Sequence, residues 1–452
     1  MVVNKGKVNM ASFHLVSLGC PKNLVDSELM FGLLEQAGWE FAEDPQQAVI
    51  LLVNTCGFIQ SAVEEAIDEI LELARWKEED CDKLLVVTGC MVQRYGEELI
   101  HELPEVDLFI GTDGCHHIVA QIEALIAGTV TSKVYLPGRF LMDSTMPRRI
   151  STPFFRSWLK ITEGCNNRCS YCMIPSIRGE LRSRTVPDLI QEAVNLEQQG
   201  VRELSLVAQD LTAYGDDLGE AADLPALLQA LLTETSIPWF RLMYLYPSGI
   251  SEALLSLMAD QPRIVPYLDI PFQHVSDTVL RRMNRHYTGR DLYQLIERIR
   301  LALPHVALRS TMMVGFPGET EDDVQQLAHF LRVARLDHVG VFAYANEAGC
   351  PSEKFSRQCS ETDKEDRLNF ILGVQAEVSA MNLQKYVGRV EPVLVEGVSK
   401  ETDLLLEGRS RFQAPDIDGC VYINDGQAMP GDIVQVRITE AQVYDLVGEI
   451  VD

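Results

Sequence analysis

Residues 164–172 read GCNNRCSYC, and this stretch decides how the rest of the chain is to be understood. Cys165, Cys169 and Cys172 stand in C-x3-C-x2-C spacing, three thiols within eight residues. Thiolates this close in sequence converge on one metal centre when the chain curls into a loop. No further cysteine follows until Cys350. Three thiolates on a cube of four irons leave one iron open to another ligand. Zinc is the competing reading, but structural zinc sites take four ligands, usually from paired C-x2-C knuckles.

Working outward, a β/α alternation surrounds the loop. The pattern predicts strands at 156–163, 202–208, 239–245, 266–272, 307–315 and 338–345, each followed by a helical stretch. Thr320 with Asp323 three residues on is a capping box that opens a helix over 321–335. Six such units make an open, partial (β/α)6 TIM-like barrel over 150–385. Active sites of this architecture lie at the carboxyl ends of strands, and the cysteine loop directly follows the first strand. A polar, proline-containing stretch at 142–153 is the linker before it. His274 in PFQH is either cavity-facing or a satisfied structural histidine.

Upstream, residues 11–130 alternate apolar runs at 13–19, 48–54, 84–89 and 107–111 with helices. The helix written NLVDSELMFGLLEQAG groups Leu29, Met30, Leu33, Leu34 and Ala37 on one side, and a second helix covers 59–75. This is the pattern of an open parallel sheet. Cys20 follows its first strand, Cys56 its second and Cys90 its third. In a parallel sheet all three positions fall on one rim, where such sheets bind ligands. Small or polar neighbours (Gly19, Thr55, Gly57, Gly89) leave room for a bulky second cluster. Buried free cysteines acting as small hydrophobes are the plainer alternative. Cys115, after the fourth strand, is a further candidate for the rim, whereas Cys81 sits in an acidic turn.

Downstream, short alternating segments over 386–452 predict a small five-stranded β-barrel. Residues 385–452 carry six Lys and Arg against thirteen Asp and Glu, the wrong sign for phosphate. The whole chain carries a formal charge of −27. Such a surface repels nucleic acid and anionic membranes and attracts basic proteins. At 46% hydrophobic and 23% charged residues the composition is that of a globular protein. Runs such as AVILLV at 48–53 are strand-sized, too short to span a bilayer. The start, MVVNKGKVNM, lacks an apolar secretory core, so a cytoplasmic location is expected. Eleven cysteines in that setting indicate metal or redox chemistry, not a disulfide framework.

The loop, with Tyr171 before its last cysteine, resembles that of the radical S-adenosylmethionine enzymes. The resemblance implies a 4Fe-4S cluster on Cys165, Cys169 and Cys172, with S-adenosylmethionine on its open iron. It also implies cofactor contacts from Tyr171, from Gln209 and Asp210 in LVAQD, and from Gly315 and Gly318 in VGFPGET. The three-part layout is similar to the methylthiotransferases, which implies a second 4Fe-4S cluster on Cys20, Cys56 and Cys90 and a TRAM-like third domain. GCPKNLVDSE (19–28), NTCGFI, CMIPSIRGELRSR and YLYPSG resemble the branch that modifies an aspartate β-carbon in small-subunit ribosomal protein twelve. That basic protein is the implied substrate, with a reduced flavodoxin- or ferredoxin-type electron donor and an unidentified sulfur source. No acid or base is nominated, because an aliphatic C–H has no useful acidity and the clusters carry the chemistry. The alternatives are the transfer-RNA adenosine methylthiotransferase of the same family and a non-catalytic iron-sulfur electron carrier. Cys115 has no role in the family pattern, Cys350 stands where threonine is frequent, and Asp416 where glutamate is usual.

Overall fold

Apolar, β-branched runs separated by helical stretches build two parallel sheets and one barrel. The computed structural model describes residues 11–219 and 222–451. The chain divides into two units: Met1–Ser151 with Glu163–Asn166 and Met173–Arg184, and Thr152–Thr162 with Asn167–Cys172 and Thr185–Asp452.

In the first unit the strands are β1 (Ser12–Ser17), β2 (Glu40–Phe41), β3 (Ile50–Thr55), β4 (Leu84–Gly89), β5 (Leu108–Gly111) and β6 (Val134–Tyr135). They form one sheet in the order β2-β1-β3-β4-β5-β6, with every pairing parallel. Helices α1 (Pro21–Gln36), α2 (Gln60–Glu79) and α3 (Cys90–Tyr95) are among its connections. The central strand β3 is buried throughout, which is why it reads as a continuous apolar run and not an alternating one. Val63, Ala66, Ile70 and Leu73 of α2 pack on this sheet in one core.

Helix α1 differs from the amphipathic expectation. Leu29, Met30 and Leu34 are buried, but Leu33 is only half-buried and Ala37 is exposed. The buried side instead takes in Lys22, Asn23, Asp26, Ser27 and Glu28. Four of these are satisfied by partners: Asn23 donates to the Leu18 carbonyl at 2.7 Å, the Asn54 amide donates to Ser27 Oγ at 2.8 Å, Arg178 reaches Asp26 at 3.0 Å, and Glu28 takes the Arg148 guanidinium at 2.7 Å. Buried polar groups are tolerated when hydrogen-bonded in this way.

In the second unit, β7 (Arg156–Lys160), β8 (Glu203–Val207), β9 (Trp239–Leu242), β10 (Ile264–Asp269), β11 (Ala307–Val314) and β12 (His338–Ala343) lie in sequential order. All pair in parallel. This is the open six-stranded, TIM-like half of the expected fold. Strand β9 stops at Leu242, short of the expected 245, because Tyr244 turns left-handed (φ 62°) and gives its N–H to the Asp269 carboxylate at 3.1 Å. Helix α4 (Gly289–Ala302) and helix α5 (Glu321–Ala334) both open with capping boxes, the second being the Thr320–Asp323 pair read from sequence. Helix α6 (Glu361–Leu383) leads to the last strands.

Those strands, β13 (Val390–Val398), β14 (Leu406–Ser410), β15 (Val421–Asp425), β16 (Ile433–Ala441) and β17 (Leu446–Ile450), close into a barrel. A buried ion cluster ties it to the parallel sheet. Glu203 of β8 takes Arg241 Nε at 2.6 Å and Arg409 Nη2 of β14 at 2.6 Å. Burial alone would raise the Glu203 carboxyl, but Arg409 and Arg241 hold it down to about 2. Among the described residues, no helix is long and apolar enough to cross a membrane.

Candidate metal centres and cofactor site

The sheet register of the first unit aligns Ser17 with Asn54, Thr55 with Gly89, and Gly89 with Gly111. Cys56 follows Thr55 directly, Cys90 follows Gly89 directly, and Cys20 stands three residues past Ser17. The three thiols therefore leave neighbouring strands at one rim, as the sequence predicts. They are close enough to act on each other electrostatically: Cys20 and Cys56 both oppose ionisation of Cys90. Gly19 lets two of the loops meet. It is left-handed (φ 89°), and a Cβ there would lie 2.8 Å from Cys56 Cβ and 3.3 Å from its sulfur.

The three thiols differ in their electrostatics. Cys20 caps the N-terminus of α1, with Pro21 at the first helical position. Burial pushes its thiol up, but Lys22, Arg178 and the N–H groups of Asn23 and Lys22 outweigh it, and the thiol ends below its ordinary value. Cys56 is raised by burial. Burial pushes Cys90 up to about 12 against the pull of Arg178.

Among the described residues, no group of three or more His, Cys, Asp and Glu gathers as a single-ion site. One zinc would draw its sulfurs to about 2.3 Å from a common point, whereas a cluster with several irons spreads its ligands apart. Three thiols on one rim, with small residues beside them and two cations near, fit the larger anionic centre.

The C-x3-C-x2-C loop is held along its length. In the first unit the Cys165 N–H donates to the Gly179 carbonyl at 3.0 Å, and Leu181 N–H donates to Asn166 Oδ1 at 3.0 Å. In the second unit Ser170 N–H donates to the Met283 carbonyl at 3.0 Å, Ser170 Oγ to the Arg282 carbonyl at 2.8 Å, and Asn284 to the Arg168 carbonyl at 2.7 Å. Cys172 N–H closes a turn onto the Cys169 carbonyl at 3.2 Å. Tyr171 packs edge-on against Phe316, and its hydroxyl takes Arg285 Nη2 at 2.9 Å. Arg285 also lies 4.8 Å over the Tyr246 ring.

Gln209 and Asp210 follow β8, at the carboxyl edge of the sheet. Both polar atoms of the Gln209 amide are buried without a hydrogen-bond partner, a state that costs about 1–3 kcal/mol unless a ligand supplies partners. Asp210 takes Asn167 Nδ2 at 2.6 Å and the Thr212 hydroxyl at 2.6 Å. Burial raises its carboxyl above the ordinary range despite these bonds. The N–H groups of Gly315 and Gly318 are taken, by Glu319 Oε2 at 2.6 Å and the Arg357 carbonyl at 2.8 Å. His274 is fully buried, 3.1 Å from Glu319 Oε1, and its other ring nitrogen accepts from Ser276 N–H at 2.9 Å. It is thus the satisfied structural histidine. Cys115 and Cys350 are buried in the turns Thr112–His117 and after Glu347, and Cys81 is exposed.

Sequence reasoning missed two charged groups. Arg178 and Arg285 hold the loops around the cysteines, whereas Glu319, within VGFPGET, pins the turn at Gly315 and the His274 ring. Arg178 was visible only as part of CMIPSIRGELRSR.

A six-stranded parallel sheet with a C-x3-C-x2-C loop after its first strand is the core of a radical S-adenosylmethionine enzyme. Residues 12–111 match the uncharacterized protein family UPF0004, 159–331 the radical SAM superfamily, and 387–451 the TRAM domain. The chain belongs to the ribosomal protein uS12 methylthiotransferase RimO family. It is 58% identical to the member from Desulfotalea psychrophila, over 97% of this chain and 99% of that protein. It is 46% identical to the member from Geobacter sulfurreducens, over 99% of each. The fold is also similar to the radical S-adenosylmethionine methyltransferase TsrM from Kitasatospora setae (TM-score 0.55, 15% identity, 74% of this chain and 75% of that one). Enzymes of this class carry S-adenosylmethionine and two four-iron, four-sulfur clusters.

Proposed function

We propose that this chain adds a methylthio group to the β-carbon of an aspartate in ribosomal protein uS12. The observation that carries the reading is the second set of thiols. Cleavage of S-adenosylmethionine needs only one three-cysteine loop, and Cys20, Cys56 and Cys90 on aligned strand ends have no use in it. Full-length similarity to relatives named for uS12 supports the substrate, as does the charge of −27, which favours a basic protein over transfer RNA.

In this reading Cys165, Cys169 and Cys172 hold the radical cluster, and Cys20, Cys56 and Cys90 the auxiliary one. When bound, the clusters and S-adenosylmethionine supply the radical that breaks an unactivated C–H bond and the sulfur that replaces it. The protein's own groups bind and orient. The Gln209 amide offers both a donor and an acceptor to the cofactor's polar groups. Asp210, fixed by Asn167 and Thr212, ties residue 167 of the cysteine loop to the strand end beside Gln209. Tyr171, Gly315 and Gly318 contribute the remaining cofactor contacts from the surrounding loops, with the N–H groups of the two glycines held by Glu319 and the Arg357 carbonyl. The enzyme works in the cytoplasm, with a reduced flavodoxin- or ferredoxin-type donor.

The test is anaerobic reconstitution with iron and sulfide, then incubation with reductant, S-adenosylmethionine and either uS12 or transfer RNA. Deoxyadenosine release with a methylthio mass gain on an aspartate-containing uS12 peptide is expected. Deoxyadenosine release with the mark on transfer RNA alone would overturn the substrate, and no release from cluster-loaded protein would overturn the radical reading.

A further inference from the structure

Arg178 is six residues beyond Cys172 in sequence and sits in the polar centre of the first unit. Its side chain is 3% exposed. Nη1 donates to both oxygens of Glu163 at 3.0 and 3.1 Å. Nη2 donates to Asp26 Oδ2 at 3.0 Å and lies 3.4 Å from both Asn23 Oδ1 and Cys90 Sγ. The neighbouring backbone is equally fixed. Arg178 N–H closes a helical turn onto Ile174 at 2.7 Å, and the next carbonyl, of Gly179, accepts the Cys165 N–H. One dipeptide therefore touches a cysteine of each set: Arg178 through its side chain, Gly179 through its carbonyl.

A purely structural ion-pair residue would not need the sulfur. Asp26 and Glu163 together already exceed the charge of one guanidinium. Hydrogen bonds to cluster sulfurs and nearby charge are among the factors that set the potentials of iron-sulfur centres.

We propose that Arg178 is a positioning residue of the auxiliary centre, fixing the Cys90 sulfur and raising the potential of the cluster it ligates. This rests on the reading that Cys20, Cys56 and Cys90 hold a cluster. A positive charge and an N–H at a ligand sulfur favour the more negative, reduced state, so removing them shifts the potential down.

The experiment uses full-length C165A/C169A/C172A protein, in which the auxiliary centre is the only cluster, with R178Q or R178K added. Iron content, circular dichroism and an EPR-monitored redox titration are read together. R178Q is expected to lower the reduced-to-oxidised ratio at fixed ambient potential about tenfold, some 59 mV for a one-electron couple. R178K, which keeps the charge and loses the fork, falls between. Native circular dichroism with iron lost from R178Q and partly kept by R178K supports the same role. Parental iron and parental potential in both variants overturn it. Unfolding of both assigns Arg178 to folding alone and also overturns it. A parent that holds no iron is a different failure: it removes the auxiliary-cluster reading itself.

Discussion

Replacing Glu203 with glutamine should loosen the barrel from the parallel sheet while leaving radical generation intact. Glu203 is fully buried between Arg241 and Arg409, and Arg409 belongs to the barrel strand β14. Its carboxyl is held at about 2 in the fold against an ordinary value of 4.5. The ionised carboxylate therefore stabilises the fold near neutral pH. Breaking a buried pair by removing one partner costs about 3–5 kcal/mol. A local opening made easier by about 3 kcal/mol speeds amide exchange roughly 100-fold. Hydrogen exchange of peptides covering Leu406–Ser410 should show that gain in E203Q. The folded carboxyl lies below its unfolded value, so the stabilisation is complete above about pH 4.5 and is lost as pH falls through about 2. The wild type and E203Q should therefore converge in acid. Deoxyadenosine formation should persist, and uS12 modification should fall if the barrel helps to hold the substrate. Equal exchange rates at pH 7 would refute the assignment of the ion cluster as the barrel's anchor.

Other substitutions separate the two cysteine centres and the cofactor site. G19A places a Cβ 2.8 Å from Cys56 Cβ at a left-handed position, costing about 1–2 kcal/mol for the conformation alone. Iron per chain should drop toward half while deoxyadenosine formation continues; unchanged iron would contradict the close meeting of these loops. Q209L removes a buried amide that has no protein partner, so stability to urea should hold or rise. Affinity for S-adenosylmethionine should fall about tenfold, near 1.4 kcal/mol; equilibrium dialysis measures it, and unchanged affinity would remove Gln209 from the site. E319A takes the carboxylate away from Arg367 and from His274 Nε2 and frees the Gly315 N–H, so urea unfolding should show a loss of about 3–5 kcal/mol. A loss below about 1 kcal/mol would show that the turn at 315–320 does not depend on Glu319.

Local pattern carried much of this protein. Cys20, Cys56 and Cys90 were legible because each follows an apolar run that ends at a small or polar residue, and parallel register then places them on one rim. The Thr320–Asp323 box was legible because capping chemistry is contained within four residues. Arg178 was not, because Asp26 lies 152 residues away in sequence and Glu163 lies across the cysteine loop. Pairings at such separations leave no periodicity. Helix α1 misled for the same reason: Asp26, Ser27 and Glu28 look like a solvent face until Arg178, Asn54 and Arg148 are brought to them. His274 could be settled only by Glu319, 45 residues downstream.

The most direct test of the central claim is mass spectrometry of uS12 from cells that lack this chain, complemented with the wild type or with C90A. With the wild type, uS12 should carry a methylthio group on one aspartate; without the chain and with C90A it should be unmodified, while methylthio-adenosine in transfer RNA is unchanged throughout. Fully modified uS12 in cells lacking the chain would contradict it.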